Sequence, residues 1–189
     1  WVHIGGVSLT DVANDELRRR LIVVPQEPFL FANNIEYNLQ FADPHATSQS
    51  MFDSFAELGL SDWLESLPLG LQTHVGQRGS ALSAGERQLV ALVRASIVKP
   101  DVLVLDEATS SVDSLTEVRI SRALERLALG RTTISIAHRL STASRADRVI
   151  MLEHGRIVED GSHLALISAG GKYASLYETW INSTSGIGN

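Results

Sequence analysis

Short apolar runs alternate with longer amphipathic stretches along this chain, and the alternation predicts a fold before any chemistry is considered. Leu21-Ile22-Val23-Val24 is a compact apolar run stopped by Pro25, and Val102-Leu103-Val104-Leu105 is a second. Runs of this length suit strands buried on both faces, as in a parallel sheet covered by helices. Thr132 to Ala137, Val149 to Glu153 and Arg156 to Glu159 read as further strands, the last two joined by a turn at His154-Gly155. A short hairpin is predicted over Trp1 to Thr10, with Gly5-Gly6 as its turn.

Between the strands the spacing changes to that of helices. Asp15 to Arg20 reads as a brief charged helix, Asn33 to Leu69 as a helical region broken at Pro68, and Ser114 to Leu129 as a longer helix. The best-defined helix is Ser83 to Val98, where Leu89, Leu92, Val93 and Ile97 mark one apolar face. Ser83 and Glu86 have the spacing of a capping box, and Lys99-Pro100 ends the segment. Helical stretches at Ser162 to Ile167 and Tyr173 to Trp180 precede a Ser/Gly/Asn-rich end expected to fray. Strand alternating with helix predicts a doubly wound α/β layer carrying a helical insert.

Composition narrows the class. At 189 residues, 44% hydrophobic and 20% charged, the chain suits one soluble domain with a sizeable core. No apolar run approaches the ~18 residues of a membrane span. The net charge of −6 argues against broad nucleic-acid binding, which needs a basic face. A nucleotide site is still possible, because oriented amides and one metal ion act locally. With no cysteine, disulfide and thiol chemistry are excluded. The chain starts at Trp1, already in strand-like sequence, and is read as a piece of something longer.

Candidate chemistry concentrates between Ala81 and Asp113. Asp106 and Glu107 follow the apolar run at the carboxyl end of a predicted parallel strand, where open α/β sheets bind ligands. Side chains of adjacent strand residues diverge, so the two acids have separate tasks: Asp106 suits a hard cation such as Mg²⁺, and Glu107 can polarise an attacking water. Two solvated acids at a strand end are the competing reading. Ser83 and Gly85 open a helix whose unpaired N–H groups attract phosphate, and Gly85 leaves room for close approach. The same Ser-x-x-Glu spacing also serves an ordinary capping box. Pro28-Phe29-Leu30-Phe31 is apolar and fits either a docking surface or a local core.

Taken together, Leu82-Ser83-Ala84-Gly85-Glu86, Val102 to Glu107 and Ser110-Ser111-Val112-Asp113, with Gln26 and His138, resemble the nucleotide-binding domain of ABC transporters, closest to the exporter type. The family has a signature loop, a Walker B strand and a D-loop in this order. The family signature is Leu-Ser-Gly-Gly-Gln, and here Ala84 and Glu86 depart from it. Glu86 would repel a triphosphate unless the capping bond or Arg87 engages it. Thr73 to Gly79 resembles an exporter loop in which a glutamate is typical where Gln77 stands.

The resemblance implies a P-loop NTPase-like, doubly wound, mainly parallel sheet with a helical signature subdomain at about 33–98. The ABC ATPase domain would cover 1–182, its N-terminal part missing, and 183–189 would be a flexible tail. It implies an ATP-binding and ATP-hydrolysing module of an exporter. Glu107 and His138 would be catalytic; Ser83, Gly85, Gln26 and Asp113 would bind nucleotide; Asp106 and Gln26 would hold Mg²⁺. The implied partners are a transmembrane domain and a second nucleotide-binding domain, with no nucleic acid, at the cytoplasmic face of a membrane. A soluble ABC ATPase of repair or translation, and a non-catalytic module lending its signature loop, are the rivals. No Gly-x-x-x-x-Gly-Lys-Ser/Thr occurs in the 189 residues. This chain alone is therefore expected to bind Mg-ATP poorly, and its sheet is expected to lack a neighbouring strand.

Overall fold

A computed structural model describes residues 2–106, 112–137 and 140–185. They divide between two compact units, Trp1–Ile136 and Ala137–Asn189.

The first unit opens with the predicted hairpin, β1 (His3–Ile4) against β2 (Val7–Ser8). Gly5 and Gly6 both have positive φ, as a two-residue turn that follows the strand twist requires. Helix α1 (Asn14–Arg20) carries Asp15 and Glu16 in its first turn and Arg18 to Arg20 in its last, complementing its dipole. Strands β3 (Leu21–Val24), β4 (Val102–Asp106) and β5 (Thr132–Ile136) form a parallel sheet in that order. Val24 pairs with Leu105, and Asp106 with Ile136, so the three strands end at one edge.

The region from Asn33 to Leu69, anticipated with a single break at Pro68, is three helices: α2 (Ile35–Gln40), α3 (Ser48–Leu58) and α4 (Ser61–Ser66). Asn34 and Thr47 cap the first two through their side chains, and Gly59 stops α3 in the left-handed conformation. The long helix α5 (Ala84–Val98) starts and ends where its caps predict. After β4 comes α6 (Ser114–Ala128), which crosses to β5. Phe55, Leu30, Ile35, Leu39, Leu89 and Leu92 are fully buried in a core that α2 to α6 share with Val24, Leu103 and Leu105.

Only one face of the sheet is finished this way. Successive strand residues point to opposite faces, and the register places Val23, Val104 and Ile134 in one row, with Ile136 beyond. Val23, Ile134 and Ile136 are 56%, 54% and 51% exposed. The expectation that β3 is buried on both faces is therefore corrected: Val24 is buried and Val23 is not.

The second unit contains α7 (Leu140–Ala143), the antiparallel pair β6 (Val149–Glu153) and β7 (Arg156–Gly161), α8 (His163–Ala169) and α9 (Lys172–Ser185). Its β6–β7 turn uses His154 and Gly155, both at positive φ. Glu159 accepts bonds from the Lys172 and Tyr173 amides, at 2.6 and 2.9 Å, and so satisfies the start of α9. Helix α9 runs to Ser185, past the anticipated end near Trp180.

Candidate nucleotide site

The carboxyl edge of the parallel sheet is the first place where predicted site residues meet. Asp106 is the last residue of β4, and Gln26 lies exposed two residues beyond Val24, whose partner is Leu105. Parallel pairing thus delivers a carboxylate and a carboxamide to the same edge. Glu107 and His138 lie outside the described residues, as do Ser110 and Ser111.

The second place is the start of α5. Ser83 Oγ accepts from the Glu86 amide at 3.2 Å, and the Glu86 carboxylate accepts from the Ser83 amide at 2.8 Å. This is the complete reciprocal capping box. It leaves the Ser83 hydroxyl hydrogen available, because only the oxygen's acceptor side is used. Trp63 Nε1 also donates to Glu86, at 3.4 Å. Glu86 is thus drawn back onto its own helix and toward α4, which answers the concern about its charge. Arg87 takes no part in that; it donates to the Leu82 carbonyl at 2.9 Å.

The third is the start of α6, where Asp113 is the cap. Its carboxylate accepts from the Thr116 amide at 3.0 Å. That amide, then the Thr116 hydroxyl, holds the Asp113 carboxyl below the usual aspartate range. Asp113 and Thr116 repeat the three-residue spacing of Ser83 and Glu86. Gly85 is buried and faces Val112 and Thr116, so α5 and α6 begin side by side.

A separate surface surrounds Pro28 to Phe31. Pro28 and Leu30 are buried, whereas Phe29 is exposed and Phe31 half-buried. Phe31 meets Phe29 edge-on at 5.2 Å and lies against Phe41 at 4.3 Å. Leu30 belongs to the core, whereas Pro28, Phe29 and Phe31 line a groove of about 460 Å³. Arg94 braces it by donating to the Phe29 carbonyl, the Asn38 carbonyl and Asn38 Oδ1, each at 3.1 Å. Burial pushes the Arg94 guanidinium down from its ordinary value. The sequence reading missed Asn38, Trp63 and Arg94. A polar residue between core positions Ile35 and Leu39 was the available signal for Asn38.

The exporter-like loop is anchored to α2 by bonds from the Ile35 amide to the Thr73 carbonyl, 3.1 Å, and from the Val75 amide to Asn33, 2.9 Å. Gln77 and Arg78 stand exposed on it, Arg78 at φ 52°.

ATP and Mg²⁺ suit this donor set. No group of three or more His, Cys, Asp or Glu that could hold a metal occurs among the described residues. Two oxygen donors at a sheet edge match a cation that keeps most of its water and takes one or two carboxylates plus substrate phosphate. The capped start of α5 supplies aligned N–H groups for an anion.

Comparison with known proteins bears on the same residues. A family model described as ABC transporter matches residues 2–110. The ATP-dependent lipid A-core flippase of Bordetella avium is 45% identical over 177 residues, covering 93% of this chain and 30% of that protein. The mitochondrial iron-sulfur clusters transporter ABCB7 of Oryzias latipes is 43% identical, over 93% of this chain and 24% of its own length. The structure of a bacterial Atm1-family ABC exporter with ATP bound superposes with a TM-score of 0.83 at 38% identity, over 93% of this chain and 31% of that one. The chain therefore spans less than a third of the length of these relatives.

Proposed function

The chain belongs to the ABC transporter ATP-binding family, and from that premise we propose that it is the nucleotide-binding part of an exporter that hydrolyses ATP to move a substrate across a membrane. The observation that carries this reading is the presence of three family elements in one unit: Asp106 with Gln26 at the sheet edge, and, side by side, the capped start of α5 and Asp113 at the start of α6. Bound Mg-ATP supplies an electrophilic γ-phosphorus. Asp106 and Gln26 would hold the cation, which would offset the negative charge of the phosphates. Glu107 orients the attacking water and takes its proton, and His138 donates to a γ-phosphate oxygen. The Ser83 hydroxyl and the N–H groups at the start of α5, with Gly85 among them, bind phosphate held mainly by a second nucleotide-binding domain, and Asp113 faces that partner. The ATPase domain spans 1–182, with its helical subdomain at about 33–98.

The transmembrane partner docks on the groove of Phe29, Phe31 and Phe41, where exposed aromatic rings beside Arg18 and Arg94 favour a membrane-embedded partner over a free ATPase. No helix among the described residues is long and apolar enough to cross a membrane. The domain therefore sits at the cytoplasmic face through that partner.

The test uses the full-length polypeptide. Glu107→Gln is expected to lower ATP hydrolysis by at least ~10²-fold, the ordinary scale for losing a general base, while Mg-ATP binding persists. Asp106→Asn is expected to weaken the Mg²⁺-dependent part of binding. Turnover above half of wild type in Glu107→Gln would sink the proposal.

A further inference from the structure

Gly85 is glycine for lack of space. It is the second residue of α5, and its φ is not in the left-handed region, so the backbone itself would accept alanine. A Cβ there would stand 2.4 Å from Thr116 Cγ2 and 2.7 Å from Val112 Cγ1. Both neighbours are β-branched and stiff at χ1, so neither can swing aside cheaply. Val112 immediately precedes the Asp113 cap. Thr116 is buried, and its amide holds the Asp113 carboxylate. One face of Thr116 therefore rests on the start of α5, while its backbone fixes the cap of α6.

We propose that Gly85, Val112 and Thr116 form a steric coupling that makes the signature end of α5 and the segment carrying Asp113 move as one body. Val112 and Thr116 are then positioning residues for ATP hydrolysis. The inference rests on the reading above, in which Ser83, Gly85 and Asp113 face nucleotide. It assigns the missing side chain at position 85 to contact within the chain, where the sequence alone suggested room for phosphate.

Two readouts test it in the full-length polypeptide: hydrogen exchange over residues 112–117 without nucleotide, and kcat and KM for ATP hydrolysis. Gly85→Ala is expected to speed that exchange and to lower kcat about tenfold, the scale of one overpacked methyl. Adding Val112→Ala and Thr116→Ser removes both methyl groups that the new Cβ meets. The triple variant is expected to recover exchange and kcat to within about threefold of wild type. If Gly85→Ala fails to fold, Val112→Ala/Thr116→Ser on the native glycine loosens the contact without a clash. That variant should show faster exchange and a kcat loss of about threefold with KM nearly unchanged.

A triple variant no better than Gly85→Ala overturns the coupling and leaves phosphate approach as the reason for the glycine. Unchanged exchange in Gly85→Ala overturns it as well. Ser83→Ala and Asp113→Ala separate the two readings. If both leave hydrolysis intact, the nucleotide-site reading fails and takes the positioning role with it. If both lower hydrolysis and the triple variant shows no rescue, the coupling alone fails.

Discussion

The two faces of the parallel sheet are built from equally apolar residues and have opposite fates. On one face Val24, Leu103 and Leu105 are buried under the helical core; on the other Val23, Ile134 and Ile136 each keep about half their surface in water. Composition cannot explain the difference, because valine, leucine and isoleucine stand on both sides. What differs is cover: α5 and α6 lie against the first face, and no described element buries the second row. An apolar sheet face of this kind is more typical of an interface than of a finished surface. Asp106 alternates onto that same face, following Val104 and, at its far end, the buried Val102. The predicted metal ligand thus stands on the unfinished side, and the predicted anion-binding helix belongs to the finished one.

The sharpest way to break this contrast is to truncate one residue on each face. Leu103→Ala opens a cavity beneath a fully buried side chain and should cost about 2–5 kcal/mol. Ile134→Ala removes a side chain already half in water and should cost less than about 1 kcal/mol. Chemical denaturation of the 189-residue chain at low concentration measures both. Equal losses would mean that the open face is covered in solution, and the comparison would collapse.

A second effect appears in association rather than in stability. Among the described residues β5 is paired on one edge only, toward β4, and its Ile134 and Ile136 belong to the open face. An apolar face beside a free edge is a template for self-association. Ile134→Lys with Ile136→Lys should therefore lower light scattering of the isolated chain several-fold, by charge and by lost apolar area. Unaltered scattering in the lysine variant would count against the open face as the source.

These contrasts also mark what the sequence could and could not disclose. Local signals were sufficient for α5, whose capping box, apolar stripe and Lys99-Pro100 stop all lie within the segment itself. They were sufficient for the hairpin turns, because paired positive-φ positions call for Gly5-Gly6 and His154-Gly155. The exposure of Val23 was hidden, since an apolar run carries no record of whether its second face finds cover. Breaks between α2, α3 and α4 were partly hidden behind continuous helical spacing, although Gly59 marked one of them. In the site, the order of motifs led to Asp106, Ser83 and Asp113, yet the contact of Gly85 with Val112 and Thr116 depends on how two helices pack. No spacing along one chain encodes that distance.

The smallest expected effect is at the seam where the finished side ends, the capped start of α6, and it has a definite sign with pH. The Thr116 amide holds the Asp113 carboxyl below its ordinary value of about 3.9. A carboxyl lowered on folding adds stability that is present above the unfolded-state value and is lost as pH falls through the folded-state value. The gap in melting temperature between wild type and Asp113→Ala should therefore be largest near neutrality and should close in acid, below about pH 4. Asp113→Asn is the control, because asparagine caps nearly as well and does not titrate. Its melting temperature should stay near wild type at neutral pH, and in acid its gap to Asp113→Ala should persist. A wild-type gap that stays constant down to about pH 3 would mean the charge contributes nothing and only the cap's shape matters. The seam would then owe its order to the cap bond itself and to the contact of Gly85 with Val112 and Thr116, without help from the carboxylate's charge, which separates steric from electrostatic hold at the one place where both act on the same residue.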